Sequence, residues 1–465
     1  MTQNKIKSIF IFPGILLVFT LCKSSELSLP YFWDELGVYA RAALYLSDHG
    51  PGLLPAALPP ELSRGHPLLF SFIYGSAYRL FGDGILTGHI LSLSFSILLL
   101  VCVFVFVKKY SDANAAIFAV LLISVQPVFY AQSVLVLPEV MLALFILLSI
   151  FYWLEKKYFL FVLCTSAAIL TKETAIILPL VLMLGNLLNA IIAKQKIKVK
   201  PFHFLLFAPW LVFGLFLFIQ KQQNGWYLFP LHESNINLNP SRFFQFLGNY
   251  CAFVFFEQGR FFLFIPAVLF AIFTINGKLK IKAARPAYFL ICLIMGGLLF
   301  SSINFYMDRY TLFIICAICM LAGIIISDCL KLHRRFGWIL IPMFMGPFIF
   351  TGDDFNYDVD MNYKKYIDVQ DAAVDYAVEH LTEDDSLFAN FPIIYSLRDS
   401  RFGYCDTTKI NFTIIRKSEI EMADHFLIAD PGSFDHAMPA AAVNELKIFQ
   451  NGTGVIKLME KGVSP

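Results

Sequence analysis

Eleven apolar runs, separated by short polar stretches, dominate the chain. Most approach the length of about 20 residues that an α-helix needs to cross a bilayer. The pattern predicts eleven membrane-spanning helices, at 6–22, 85–107, 114–130, 136–154, 158–170, 175–193, 202–219, 260–276, 287–303, 310–327 and 336–351. A further apolar stretch, 243–256, is short, and we interpret it as a re-entrant or interfacial helix. A full span there would move the basic cluster at 278–285 to the outside.

Two polar regions carry patterns of their own. The first, residues 23–84, contains amphipathic helical patterns at 36–46 and 66–81 on either side of a Pro-rich turn. The second, residues 352–465, has a helical period at 363–381 and short strand patterns. Its Asn451-Gly452 pair, between two such patterns, predicts a β-hairpin. The fold class is therefore a mainly α polytopic membrane protein with a small C-terminal soluble α/β domain.

Composition and charge support this division. The chain is 58% apolar and 15% charged, whereas soluble domains are about 25% charged. Residues 1–351 hold 26 Lys/Arg and 14 Asp/Glu, and residues 352–465 hold 10 and 20. The change of sign near Thr351 predicts a domain boundary, with a transmembrane domain at 1–351 and a soluble domain at 352–465. Most of the nine cysteines lie in apolar runs, which argues against a disulfide framework.

The basic clusters orient the predicted helices, because Lys and Arg are enriched in cytoplasmic loops. With these clusters inside, the long loop 23–84 and the C-terminal domain lie outside the cytoplasm. Of the 14 acidic residues in the membrane part, 11 then fall on the external side, so we expect the polar chemistry there. The chain is predicted to be a multi-pass protein of a bacterial inner or plasma membrane, with its polar motifs and its C-terminal domain on the extracytoplasmic side.

Asp34 and Glu35 follow the first apolar run. Carboxylates favour helix N-termini, so a capping pair is one interpretation. The other is a general base, since apolar surroundings raise the pKa of a carboxyl toward working pH. Pro138-Glu139 also has two interpretations. It is either the usual Pro and acid of a helix N-terminus, or Glu139 is a second active-site acid.

Basic residues and histidine recur on the same predicted face. Arg64 and His66 lie before Pro67, and His66 is either a capping or packing residue, or a metal ligand or substrate contact. Lys172, next to Glu173, either closes a turn or binds a lipid phosphate. Arg309 either pairs with Asp308 or clamps phosphate. Trp33, Tyr31 and Tyr39 suit interfacial anchoring or stacking on a sugar.

The order of these motifs resembles that of GT-C fold integral membrane glycosyltransferases, in particular the protein O-mannosyltransferase and aminoarabinose transferase-like group. The resemblance covers most of residues 1–350. It is carried by Trp33-Asp34-Glu35 with Tyr39, Gly65-His66-Pro67-Leu68, Pro138-Glu139, Lys172-Glu173 and Arg309-Tyr310. Two departures stand out: Glu139 occupies a position where the family often has Asp, and a single Pro follows His66.

The resemblance implies an inverting transfer of a sugar from a polyprenyl-phosphate donor to a glycolipid, polysaccharide or protein of the cell envelope. Asp34 would deprotonate the acceptor, with Glu35 and Glu139 orienting acceptor or sugar. Lys172 and Arg309 would bind the donor phosphate. His66, Arg64 and Tyr39 would contact substrate. A divalent metal is compatible with the acids, but no ligand spacing demands one.

Two other functions remain open at this stage. A lipid or sugar transporter or flippase would place polar residues along a path through the bilayer, often within repeated halves. Here the charges cluster at one face and no repeat is visible. A scaffold that binds a partner through its acidic C-terminal region is the other alternative. The predicted partners are membrane lipids, the lipid-linked sugar and the acceptor, with no nucleic acid.

Overall fold

Helices fill most of the chain. The structure is a computed structural model that describes residues 3–194, 201–236, 239–268, 284–303, 306–332, 334–352, 356–430, 443–452 and 454–461. The α-helices are α1 Gln3–Lys23, α2 Ala40–His49, α3 Pro60–Ser63, α4 Leu69–Phe81, α5 Ile85–Tyr110, α6 Ala113–Ser124, α7 Pro127–Gln132, α8 Pro138–Leu154, α9 Tyr158–Thr171, α10 Leu178–Ile192, α11 Ala208–Asn224, α12 Pro230–Asn235, α13 Pro240–Phe255, α14 Ala284–Ser301, α15 Leu312–Leu332, α16 Leu340–Ile349, α17 Tyr363–His380 and α18 Ile393–Ser396.

Four continuous helical stretches in the described part of the chain are long and apolar enough to cross a membrane: Ile85–Tyr110, Glu173–Ile192, Pro201–Asn224 and Asp308–Leu332. A fifth candidate is the pair Pro240–Phe255 and Glu257–Val268, bent by 70°. Such a bend suits either a broken span or the re-entrant element predicted here. Several other predicted spans are apolar helices of 10–17 residues, and the span at 260–276 lies partly outside the described residues. An integral membrane protein is confirmed, but the count of eleven spans is not.

Small residues bring the central helices together. A Cβ atom added to Gly323 on α15 would lie 2.7 Å from the backbone nitrogen of Ala119 and 2.9 Å from the carbonyl oxygen of Ala115 on α6. Inside a bilayer, helix association depends on such close packing because lipid tails are as apolar as leucine side chains. This contact fixes α15, whose N-terminal end carries Arg309 in a short 3-10 turn, Asp308–Thr311.

The first external segment is folded as the amphipathic patterns predict. A π-helical turn, Glu35–Tyr39, leads into α2, and α2 packs on α4. Helix α4 begins at Leu69 with Leu68 at its N-cap and no side-chain capping bond. The interpretation of His66 as the cap of this helix is therefore wrong, and its side chain is free to act elsewhere.

A five-stranded sheet lies in the C-terminal part, with strands β1 Ser386–Ala389, β2 Thr413–Ile414, β3 His425–Asp430, β4 Val443–Asn451 and β5 Gly454–Lys461. The strand order is β2-β1-β3-β5-β4. Strand β1 is parallel to β2 and β3, whereas β5 is antiparallel to β3 and β4. Asn451 pairs with Gly454 at the end of the β4–β5 hairpin, as predicted. The predicted small α/β element is confirmed.

The C-terminal part shares a hydrophobic core with the first external segment. Tyr31 and Trp33 are fully buried in the same cluster as Tyr366 and Leu387. The backbone nitrogen of Tyr31 donates to the carbonyl oxygen of Phe402 at 3.1 Å. This contact places the sheet directly against the segment that carries Asp34. The division of the chain near Thr351 into two domains stays a prediction.

Candidate active site

A cavity of about 920 Å³ opens beside the first external segment. Its wall comes from that segment, the loops at the ends of α9, α11 and α15, and the C-terminal sheet region. Six residues predicted from the sequence line it: Asp34, Tyr39, Arg64, His66, Lys172 and Arg309. Glu35 and Glu139 are not part of the wall.

Asp34 reaches the cavity because of an irregular backbone. Trp33 has a left-handed conformation, with φ 46°, and the π turn begins directly after Asp34. Single π turns are frequent at functional sites. The Asp34 carboxylate caps no helix; it pairs with the guanidinium of Arg309, and its side chain is 13% exposed. Its second oxygen, Oδ1, has no partner among the described residues.

Arg309 is the centre of the buried charge cluster. It pairs with Asp34 and with Asp358, and its Nε atom lies 3.4 Å from Oε1 of Glu139. Its side chain is only 1% exposed. A guanidinium suits this position because it presents donors in several directions and stays charged when buried. No Arg309–Asp308 ion pair occurs among the described residues; Asp308 instead accepts a hydrogen bond from Tyr306.

Lys172 and Glu139 form a second buried pair in the same cluster. The ammonium of Lys172 donates to Glu139 at 2.7 Å and lies 3.4 Å from the centroid of the Tyr310 ring. Glu139 is in the first turn of α8 after Pro138, where a carboxylate is favoured. The sequence left open whether Lys172 closes a turn or binds a lipid phosphate. In the structure the charge of Lys172 is already compensated by Glu139.

Asp358 completes the cluster and was missed by the sequence reasoning. It lies in a short 3-10 turn, Tyr357–Val359, beyond α16, in the part assigned to the soluble domain. Burial raises the pKa of its carboxyl to about 6; Arg309 opposes this shift, while the charges of Asp34 and Glu139 add to it. The only signal in the sequence was an acid-rich stretch just after the last apolar run.

Glu35 has a different environment from its neighbour. It is fully buried, and it accepts hydrogen bonds from the backbone nitrogens of Phe32 at 2.9 Å and Val136 at 2.7 Å. Its other contact is Nε2 of His89 on α5, at 2.9 Å. These bonds tie the external segment to α5 and to the turn before α8. The structure therefore places Glu35 away from the cavity, in a position that stabilises the fold.

His66 lies with Glu173 and His232 at the cavity wall. The Nδ1 atom of His66 is 3.0 Å from Glu173, and the His66 and His232 ring centroids are 4.7 Å apart. Burial lowers the pKa of the His232 imidazole to about 4, and His66 acts in the same direction. Tyr39 lies nearby, with its ring centroid 6.5 Å from that of His66. The sequence reasoning did not single out His232.

The rest of the cavity wall is mostly apolar and aromatic, but it also carries four basic side chains. Arg64, which has a left-handed backbone, is joined there by Arg398, Arg416 and Lys417 from the C-terminal part. Arg64, Arg398 and Arg416 have no ion pair within the described ranges. The sequence did not predict that basic side chains of residues 352–465 line the cavity. The net charge of this region is negative, and a net charge does not show which side chains face a cavity.

The chain is similar to known proteins in both sequence and fold. A family model described as dolichyl-phosphate-mannose-protein mannosyltransferase matches residues 65–219. An uncharacterized protein of Aquifex aeolicus is 26% identical over 345 residues, which cover 67% of this chain and 68% of that protein.

Solved structures cover nearly the whole chain. ArnT from Cupriavidus metallidurans in the apo state matches with a TM-score of 0.61 and 12% identity, over 98% of each chain. The same protein bound to undecaprenyl phosphate matches with a TM-score of 0.58 and 13% identity, over 97% of each chain. The oligosaccharyltransferase AglB from Archaeoglobus fulgidus matches with a TM-score of 0.53 and 10% identity, over 90% of this chain and 69% of the AglB chain.

The chain is therefore a membrane protein with the fold of ArnT and AglB, which is the GT-C fold expected from the sequence. The family model supports the same resemblance over residues 65–219. The roles of individual residues are a separate matter and rest on the geometry of the site.

Proposed function

We propose that this protein is an inverting glycosyltransferase. It transfers a sugar from a polyprenyl-phosphate donor to a glycolipid, polysaccharide or protein acceptor of the cell envelope, on the extracytoplasmic face of the membrane. The ArnT structure with undecaprenyl phosphate has the same fold and supports a polyprenyl phosphate as the carrier of the donor sugar. The basic side chains in the cavity wall, among them Arg64, Arg398 and Arg416, support an anionic substrate as well.

The observation that carries the proposal is the position of Asp34. Three carboxylates surround Arg309, and their side chains are 13% (Asp34), 1% (Glu139) and 5% (Asp358) exposed. Of these three, Asp34 alone belongs to the cavity wall. A general base must lie within hydrogen-bond reach of the proton that it accepts. Asp34 is the one of the three that is open to an acceptor in the cavity, and its Oδ1 atom has no competing partner in the described part of the chain.

Arg309 and Lys172 are the proposed phosphate ligands. Both line the cavity, and each already contacts a carboxylate. The buried cluster has two cations against three carboxylates, so the donor phosphate competes for the cations rather than filling an empty cationic site. Asp34 is the partner that yields most readily, because it is at the cavity surface whereas Glu139 and Asp358 are buried behind Arg309.

This competition couples donor binding to catalysis. When phosphate oxygens accept the hydrogen bond that Arg309 now donates to Asp34, Asp34 loses the positive partner that stabilises its charge. Its pKa then rises, and Asp34 becomes a stronger base. Asp34 then accepts the proton of the acceptor hydroxyl or amine, whose lone pair forms the new bond to the anomeric carbon. The bond from that carbon to the phosphate oxygen breaks, and the phosphate leaves with the electron pair. Lys172 and Arg309 stabilise the charge that develops on it.

The test is transfer of labelled sugar by the purified full-length protein, given a polyprenyl-phosphate-linked sugar and a cell-envelope extract. Removing a general base slows a reaction by roughly 10²- to 10⁴-fold. We expect a loss of this size for Asp34→Asn, with normal expression and unfolding temperature. Asp384→Asn, an exposed residue in a turn before β1, is the matched control. Undiminished sugar transfer by Asp34→Asn would contradict the role of Asp34 as the general base.

A further inference from the structure

Three side chains at the cavity wall have the composition of a zinc site. One nitrogen or oxygen ligand atom from each of His66, Glu173 and His232 lies within 4.8 Å of the others. We propose that these three residues bind a divalent transition-metal ion, with Zn²⁺ the best fit. Two imidazoles and one carboxylate are a recognised Zn²⁺ ligand set, whereas Mg²⁺ and Ca²⁺ prefer oxygen ligands throughout.

The backbone brings the three ligands together from distant parts of the chain. Arg64 and Gly65 are both left-handed, which turns the chain so that His66 faces the cavity. A Cβ atom on Gly65 would lie 2.9 Å from Cβ of Phe229, so this turn packs directly on the loop before α12, which carries His232. Glu173 begins the 3-10 turn after α9. Sequence spacing could not reveal a site built from positions 66, 173 and 232.

A simpler explanation is a hydrogen bond between His66 and Glu173. It accounts for the distances of 3.0 and 3.2 Å from Nδ1 of His66 to the two carboxylate oxygens. It does not account for His232, whose ring nitrogens make no hydrogen bond among the described residues. A metal ion explains why a second imidazole, with its centroid 4.7 Å from the first, is directed at the same place.

The site is open on one side. All three side chains line the cavity, and Glu173 follows Lys172 directly in the chain. Catalytic zinc sites typically have three protein ligands and leave a further position for water or substrate. An oxygen of the acceptor or of the donor phosphate can take that position. This step rests on the proposed transferase function; metal binding itself does not.

The experiment measures metal binding by the full-length protein in detergent, after treatment with a chelator. Zn²⁺ alone is titrated by calorimetry, and Co²⁺ serves as a spectroscopic probe of ligand type. We expect one saturable Zn²⁺ per chain. Loss of an outer-shell partner weakens metal binding roughly 10- to 100-fold, and loss of a direct ligand should cost at least as much. We expect this weaker Zn²⁺ binding in each of three variants: His66→Gln, Glu173→Gln and His232→Gln.

His232→Gln is the decisive variant, because it removes no hydrogen bond to any described residue and should leave the fold intact. His380→Gln, an exposed histidine of α17, is the matched control and should bind Zn²⁺ as the wild type does. Absence of saturable binding, or equal affinity in wild type and His232→Gln, overturns the proposal. A protein that binds Zn²⁺ through these residues but transfers no sugar supports the metal site and contradicts the proposed function alone.

Discussion

The guanidinium of Arg309, in the 3-10 turn before α15, pairs with the carboxylate of Asp358, which lies beyond the apolar helix α16. The pair is buried, with side chains 1% and 5% exposed. The C-terminal part of the chain therefore takes part in the charge cluster that holds Asp34. Anything that shifts the Asp358 turn also shifts the arginine that orients the proposed base.

The first prediction concerns the pH dependence of stability. The pKa of Asp358 is raised from 3.8 to about 6, so the folded state binds this proton more tightly than the unfolded state. The cost of ionising the group is present above about pH 6 and is lost as the pH falls toward 4. Relative to Asp358→Asn, the wild type should gain unfolding temperature between pH 7 and pH 5. Parallel pH profiles for the two proteins would contradict the shift.

The second prediction separates donor binding from proton transfer. Lys172→Ala should raise the apparent donor KM more than Asp34→Asn does, because it removes a phosphate ligand. It also leaves Glu139 partly uncompensated, and removal of one partner from a buried ion pair costs about 3–5 kcal/mol. The double variant Lys172→Ala/Glu139→Gln should recover stability but not donor affinity. Equal donor affinity in Lys172→Ala and Asp34→Asn would remove Lys172 from the phosphate site.

The third prediction distinguishes the two adjacent carboxylates. Glu35→Gln keeps the size of the side chain but replaces the carboxylate with an amide. The carboxylate oxygens now contact two backbone nitrogens and Nε2 of His89, and the amide cannot satisfy all three. An unsatisfied buried hydrogen-bonding group costs about 1–3 kcal/mol. We expect a lower unfolding temperature, while the folded fraction transfers sugar at a near-normal rate. A large loss of specific activity at unchanged stability would instead place Glu35 in the chemistry.

The fourth prediction concerns the attachment of the C-terminal part. Trp33 is fully buried, and its ring centroid lies 4.8 Å from that of Tyr357 and 5.9 Å from those of Tyr366 and Phe391. Truncation of a buried Trp costs about 3–5 kcal/mol. Trp33→Ala should speed hydrogen exchange in α17 and β1, with little change in α6. Trp338→Ala, an exposed residue, is the control.

Local signals in the sequence predicted the elements well. Regular periodicity identified α4, α17 and the β4–β5 hairpin, because these depend on the alternation of neighbouring residues and on Asn451-Gly452. The two-residue strand β2 carries no such signal. Helix lengths were less predictable: several apolar runs form helices of 10–17 residues, because hydropathy records the composition of a stretch and not where its hydrogen-bonded turns stop.

The motifs themselves were visible in sequence, but their partners were not. The resemblance placed Asp34, Glu139, Lys172 and Arg309 together, and the structure brings all four into one cluster. It could not separate Asp34 from Glu35, because adjacent residues have the same sequence context. Only the π turn directs one carboxylate to the cavity and the other to His89.

Sequence by itself determined that this is a mainly helical membrane protein, with polar motifs in the order typical of the GT-C group. Apolar runs and motif order are properties of the chain read in one dimension. Tertiary structure alone decided that Asp358 pairs with Arg309, and that His66, Glu173 and His232 converge. The physical reason is that these contacts join residues far apart in the chain. Their energies depend on burial and distance, which arise only when the membrane helices and the C-terminal sheet pack together.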